Sequence, residues 1–184
     1  YYAPIGAVAA VAAIVAIIYT TPGPAPRSED LRHAAEQAER SHSMRYVRLA
    51  ERGDVNAQFR LGVMYRDGID VIQDDAKAVY WFRRAAQARH PDAQYYLGMA
   101  YHEGRGVLQD FTEAVKWFSS VSEEGHAGAQ YQLANMYRKG EGVAADNMRA
   151  YIWFNIAAAQ GNREAAIARD SIAATSAARA TSAT

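Results

Sequence analysis

Histidine is the residue type in this chain best suited to metal or acid–base chemistry, and the five copies are spaced for neither. His33 and His42 stand nine apart, His102 stands by itself, and His90 and His126 occupy one recurring position thirty-six residues apart. A histidine metal site needs ligands that converge, typically from successive turns of one helix face, and none of these pairs has that spacing. There is no cysteine, which removes thiolate ligands, thiol nucleophiles and disulfides and leaves the redox compartment open. Gly104-Arg105-Gly106 and Gly140-Glu141-Gly142 are glycine-rich but lack the strand, lysine and hydroxyl of a phosphate cradle. No Ser-His-Asp order stands out, and Asp74, Asp110 and Asp146 recur at one register where helix capping accounts for them. The expectation is therefore a non-enzyme, with no cofactor, no metal and no small-molecule substrate.

What recurs is structural. Trp81-Phe82, Trp117-Phe118 and Trp153-Phe154 are spaced by thirty-six residues, and the same register carries Ala57, Ala93, Ala129 and Ala165. Leu61, Leu97 and Leu133 keep it too, as do Tyr65, Tyr101 and Tyr137, and Gly68, Gly104 and Gly140. A fixed period of this length is the mark of a stacked helical array. Within each unit, Ala57, Leu61, Met64 and Tyr65 or their equivalents recur at helical spacing, giving a first helix that a glycine ends in left-handed backbone. Asp74, Asp110 or Asp146 then caps a second helix, and Glu113 stands where a capping box would place it. Small residues at Gly62, Gly98 and Ala134 let the paired helices approach, and the indole is expected to fill the space between neighbours.

The bulk numbers agree. Half of the 184 residues are apolar, enough for a sizeable core, while twenty basic and twenty acidic side chains cancel. Between Arg27 and Asp54 arginines and carboxylates are equally many, so no basic tract argues for nucleic acid. The chain begins at Tyr1 rather than methionine, and residues upstream are expected.

The order Ala93, Gln94, Leu97, Gly98, Tyr101, Gly104, Gly106, Val107, Asp110, Ala114, Trp117 and Phe118 resembles the Sel-one-like repeat (SLR) family, relatives of the tetratricopeptide repeats. The resemblance covers about Ala57 to Ala165 and implies an all-α fold, an α-solenoid of stacked helix-turn-helix repeats, acting as an adaptor in assembling macromolecular and membrane complexes. Repeats are placed at 57–92, 93–128 and 129–164, after a leading helix and partial repeat at 31–56 and before a closing helix and tail at 165–184. Two departures are Asp70 for the second loop glycine and Arg89 for the glycine seen at Gly125 and Gly161. Aspartate tolerates left-handed backbone, so the first loop is expected to be strained rather than lost. Arg169 replaces the next leucine, so the pattern stops there.

In related families the first helices line a groove, and the positions that vary between repeats there form three ladders. Phe59, Tyr95 and Tyr131 are an aromatic row; Val63, Met99 and Asn135 lie one turn on; Arg66, His102 and Arg138 form a cationic edge. Aromatic and arginine side chains serve well as interface anchors. For Tyr95 and Tyr131 the equal alternative is packing between repeats as core, and for the arginines a solvated rim. Tyr96 and Arg60 extend the groove.

No charged residue appears from Tyr1 to Pro26, and Ile5 to Ile18 is apolar throughout. Residues 1–21 are expected to form a membrane-spanning helix with Tyr1, Tyr2 and Tyr19 at the interfaces; a signal-peptide core or a buried helix are the alternatives. Its packing face would be Gly6, Ala9, Ala10, Ala13 and Ala16, small residues that let a neighbouring membrane helix approach. Three prolines make residues 22–30 a stiff linker. Together these readings give a single-pass membrane protein with its repeats on the periplasmic side, a scaffold and accessory or assembly subunit whose partners are subunits of a membrane protein complex. The alternative is a secreted periplasmic module, freed of its signal, that binds peptide or cell-wall polymer.

Overall fold

A computed structural model describes residues 27–182 of the chain. Eight helices run through them: α1 (Ser28–Glu51), α2 (Val55–Asp67), α3 (Asp75–Gln87), α4 (Pro91–Glu103), α5 (Phe111–Glu123), α6 (Ala127–Lys139), α7 (Asn147–Ala159) and α8 (Arg163–Ser182). No strand occurs among the described residues, so the class is the all-α solenoid of 36-residue helix pairs. The expected membrane helix 1–21, with Gly6, Ala9, Ala10, Ala13 and Ala16, lies outside the described residues. None of the described helices is long and apolar enough to cross a membrane. Helix α1 already begins at Ser28, inside the expected linker, with the acidic Glu29 at its N-terminus, where the dipole favours it.

Local chemistry sets each boundary. Gly68, Gly104 and Gly140 end α2, α4 and α6 with φ of 69°, 71° and 74°, and their N–H groups donate to Met64, Ala100 and Met136. After each short loop the side chain of Asp74, Asp110 or Asp146 accepts from the N–H of Lys77, Glu113 or Arg149 at 3.0 Å. The capping box expected at Glu113 does not form. Its carboxylate pairs with Lys116, and the Asp110 N–H instead donates to the Tyr101 carbonyl at 2.9 Å. Asp74 and Asp146 do the same with Tyr65 and Tyr137, at 2.8 Å each, so a carbonyl near the end of one helix fixes the start of the next. Asp70 and Arg89 keep their turns in left-handed backbone, with φ of 58° and 63°.

The chain divides into two compact parts between Arg84 and Ala85, within α3. In the first, Ala50, Ala57, Leu61, Met64 and Trp81 form a core on which Tyr46, Val47 and Leu49 of α1 pack. A β-carbon on Gly62 would lie 2.6 Å from the Phe82 ring, so the missing side chain lets α2 and α3 close up. In the second part, Ala114, Phe118, Val121, Ala129, Leu133 and Met136 make one cluster, and Ala134, Ala150, Phe154, Ala157 and Ala165 another. Trp153 packs on both clusters, as an indole between neighbouring units should, but Phe118 and Phe154 are the fully buried members of their pairs. Ala168 and Ile172 of α8 cover the last cluster. The pattern stops at Arg169 because its side chain faces outward, donating to Asn155 at 3.2 Å and pairing with Asp170.

A buried glutamine ladder ties one repeat to the next. The amides of Gln58, Gln94 and Gln130 donate to the carbonyls of Ala50, Ala86 and Ser122, each eight residues earlier, at 3.1, 3.4 and 3.0 Å. Those carbonyls lie near the ends of second helices and already accept the N–H of Gly53, Arg89 or Gly125 three residues on, so the glutamine amide fills the second lone pair and joins the next helix to that end.

Candidate partner-binding surface

The aromatic row is held against the core by helix pairing inside each repeat. Phe59 lies 6.1 Å from Phe82, Tyr95 6.0 Å from Phe118 and Tyr131 5.8 Å from Phe154, centroid to centroid. All three are half-buried, so each leaves one edge outward while its body packs on the phenylalanine of the following helix. Tyr95 is further fixed by stacking on His126 at 4.7 Å and by the edge of Tyr96 at 5.3 Å. Such rings present area with little rotamer freedom left to lose, which suits an anchor.

His126 and its equivalent His90 have a structural task that their spacing alone did not reveal. Each ring accepts a backbone N–H through Nδ1, from Ala129 at 3.1 Å and from Ala93 at 3.4 Å, and so caps α6 and α4. Asp54 and Asn162 cap α2 and α8 from the same register position, at 2.7 and 2.9 Å. The common signal was a short acceptor side chain three residues ahead of the recurring alanine. Among the described residues no cluster of potential ligands could hold a metal ion.

The cationic edge differs sharply from repeat to repeat. Arg66 forms a two-pronged pair with its neighbour Asp67, at 2.7 and 2.8 Å. His102 sits edge-on to Phe111, and its Nε2 lies 3.1 Å from Glu141 Oε2 in the loop of the next repeat. Burial pushes the Glu141 carboxyl up, but His102 and Lys139 together hold it below its ordinary value. Arg138 donates to Asn135 Oδ1 at 2.9 Å and lies over the Phe154 ring at 5.8 Å, and no carboxylate compensates it among the described residues. Asn135 in turn donates to the Tyr131 carbonyl at 3.1 Å. Tyr131, Asn135 and Arg138 thus form one connected string along α6, while Met99 packs inward on the Phe118 cluster. The string carries an aromatic edge, an amide and a cation on one helix.

The pattern of the Sel1 repeat matches the chain three times, at residues 55–90, 91–126 and 127–162, two residues ahead of the registers read from Ala57. Among solved structures, a Sel1 repeat protein from Oxalobacter formigenes is similar at 41% identity, covering 70% of this chain and 96% of that one, with a TM-score of 0.63. A protective antigen of uropathogenic Escherichia coli with an SLR fold is similar at 34% identity, covering 76% of this chain and 34% of its own, with a TM-score of 0.63. Cysteine rich protein B of Helicobacter pylori shares the fold, at 18% identity over 71% of this chain and 94% of that one, with a TM-score of 0.55. No curated protein matches in sequence.

Proposed function

Because the chain belongs to the Sel1 repeat family, whose members are generally protein-interaction scaffolds, we propose that it is a non-enzymatic scaffold anchored by residues 1–21 that serves as an accessory or assembly subunit of a membrane protein complex. One observation carries the scaffold reading: the connected string Tyr131, Asn135 and Arg138, with an uncompensated guanidinium at its outer end. A partner segment with an acidic side chain or a free carbonyl would complete that guanidinium, and aromatic edges beside it would cover apolar side chains. The charge-free stretch Tyr1–Pro26 supports the anchor and, through its small-residue face, a membrane partner.

Purification of the untagged protein from mild detergent, with identification of what accompanies it, tests the assignment. Recovery of membrane subunits that depends on Arg138 and on Ala13 is the expected result. Release of the chain by carbonate wash, or a mature N-terminus beyond residue 20, would replace the anchored scaffold by a secreted periplasmic binding module.

A further inference from the structure

The second helices of the repeats provide an internal comparison, since they share one register. At the three outward positions α3 carries Ala76, Tyr80 and Arg84, and α5 carries Thr112, Lys116 and Ser120. On α7 the same positions hold Met148, Ile152 and Ile156, which are 70%, 48% and 37% exposed. Folding does not demand apolar residues there, because α5 forms with a lysine and two hydroxyl residues on that face. Arg149 is the sole charged residue of α7, and a helix apolar on every side is normally covered on every side.

We propose that this face is covered by a second copy of the chain, with two α7 helices packed antiparallel about a two-fold axis between Ile152 and Asn155. At helical spacing Met148, Ile152, Asn155, Ile156 and Ala159 lie along one stripe, bulky at its N-terminal end and small at its C-terminal end. Reversing the second copy sets Met148 over Ala159 and brings Ile152 toward Ile156, so large meets small at both ends. A parallel pair would set Met148 on Met148 and leave a gap at Ala159. Charge points the same way. Reversal carries Arg149, which Asp146 holds at 3.4 Å, toward the carbonyl end of the other α7, whereas a parallel pair faces arginine with arginine. Beside Met148 an open groove of about 470 Å³ between α7 and α8, lined by Asn147, Tyr151, Ile172, Ala173 and Ser176, gives room for the last turn of the partner helix. With Arg149 held by Asp146 and Arg169, beside Asn155, paired with Asp170, the stripe is poorly matched to an anionic lipid surface. An interface built on one helix stripe is small, so the association is reversible and concentration-dependent.

The chain has no cysteine, so single-cysteine variants of the full chain in mild detergent report proximity without background. Under mild oxidation Ile152→Cys is expected to give disulfide-linked dimer roughly tenfold faster than Lys116→Cys, the same face one repeat earlier, because pairing raises the local thiol concentration. Differently tagged copies carrying Met148→Cys and Ala159→Cys are expected to cross-link with one another in preference to Met148→Cys with itself. Adding Ile152→Lys and Ile156→Ser, the side chains of α5, to that mixture should return the yield to background with the circular dichroism unchanged. Equal rates for Ile152→Cys and Lys116→Cys overturn the proposal, as does self-linkage of Met148→Cys as the main product. Cross-linking that survives Ile152→Lys with Ile156→Ser overturns it as well.

Discussion

Gly98 on α4 lies directly against the ring of Phe118 on α5: a β-carbon at Gly98 would sit 2.7 Å from Cε1 and 2.8 Å from Cδ1. Phe118 is fully buried among Ala114, Leu133 and Met136, so the ring cannot simply swing aside. Gly98→Ala is expected to overpack this contact and destabilise the chain by about 1–3 kcal/mol. Phe118→Ala, which empties the same space, should lose more, about 3–5 kcal/mol. Repeat 3 carries Ala134 over Phe154 and packs both at full burial, so part of the strain can be relieved by a small shift. Urea unfolding midpoints measure both; a Gly98→Ala midpoint equal to the parent's would mean that the glycine is not needed for helix approach.

His126 caps α6 through Nδ1 while its Nε2 stands 3.4 Å from Asp92 Oδ1 and its face stacks on Tyr95. Accepting through Nδ1 requires the neutral ring with its hydrogen on Nε2, which then donates toward Asp92. His126→Ala is expected to cost about 1 kcal/mol for the lost cap, and more through the freed tyrosine. His126→Asn keeps a short acceptor at the N-cap and should recover the capping share alone. Thermal unfolding of the two variants separates the roles: equal losses would deny the cap, and a fully restored asparagine variant would deny the stacking.

The 36-residue period located the helix pairs because Ala57, Leu61 and Tyr65 and their repeats are core positions, and a core face imposes its spacing on the chain. The helix ends were equally legible, since only a left-handed residue fits at Gly68, Gly104 and Gly140. Other features depend on neighbours the sequence does not announce. Gln94 and Gln130 look like surface residues until each amide is found donating to a carbonyl eight positions back. His90 and His126 cap helices only in one tautomer, which no spacing rule encodes. The candidate groove was partly readable: the ladders could be placed on the first helices, but the lean of Tyr95 and Tyr131 onto phenylalanines, and the neutralising of Arg66 by Asp67, are matters of rotamer and partner.

The pair His102 and Glu141 links α4 to the loop after α6 and makes one contribution to stability pH-dependent. Burial acts to raise the Glu141 carboxyl, yet His102 and Lys139 outweigh it and the group stays ionised below its ordinary 4.5. A carboxyl depressed on folding stabilises the folded chain at pH values above 4.5 and loses that contribution as the pH falls through its folded value. Glu141→Gln should therefore be less stable than the parent near neutrality, with the difference shrinking as the pH drops below 4.5. Melting temperatures of the two chains across the acid range supply the comparison. A difference that grows on acidification would mean that Glu141 is not stabilised by its cationic neighbours.

Gln94 and Gln130 hold one position in successive repeats, but their bonding is unequal. Gln130 Oε1 receives the Gln160 amide at 2.7 Å, whereas Gln94 Oε1 is buried with no donor among the described residues. Position 124, one repeat before Gln160, holds a glutamate, which cannot donate when ionised and turns instead to Arg89 at 2.8 Å. A buried acceptor left empty is a larger loss than the gain from an exposed ion pair, and the Arg89 side chain is 78% exposed. Glu124→Gln is accordingly expected to stabilise the chain by about 1 kcal/mol, because the introduced amide can donate to Gln94 as Gln160 does to Gln130. The substitution also dissolves the ion pair with Arg89, whose backbone is held at φ 63°. Arg89→Gly added to Glu124→Gln should therefore raise the melting temperature further by relieving the left-handed backbone. If Glu124→Gln instead lowers it while Arg89→Gly alone raises it, the carboxylate is supporting the fold by some contact other than Arg89 and Gln94 does not lack a donor in solution.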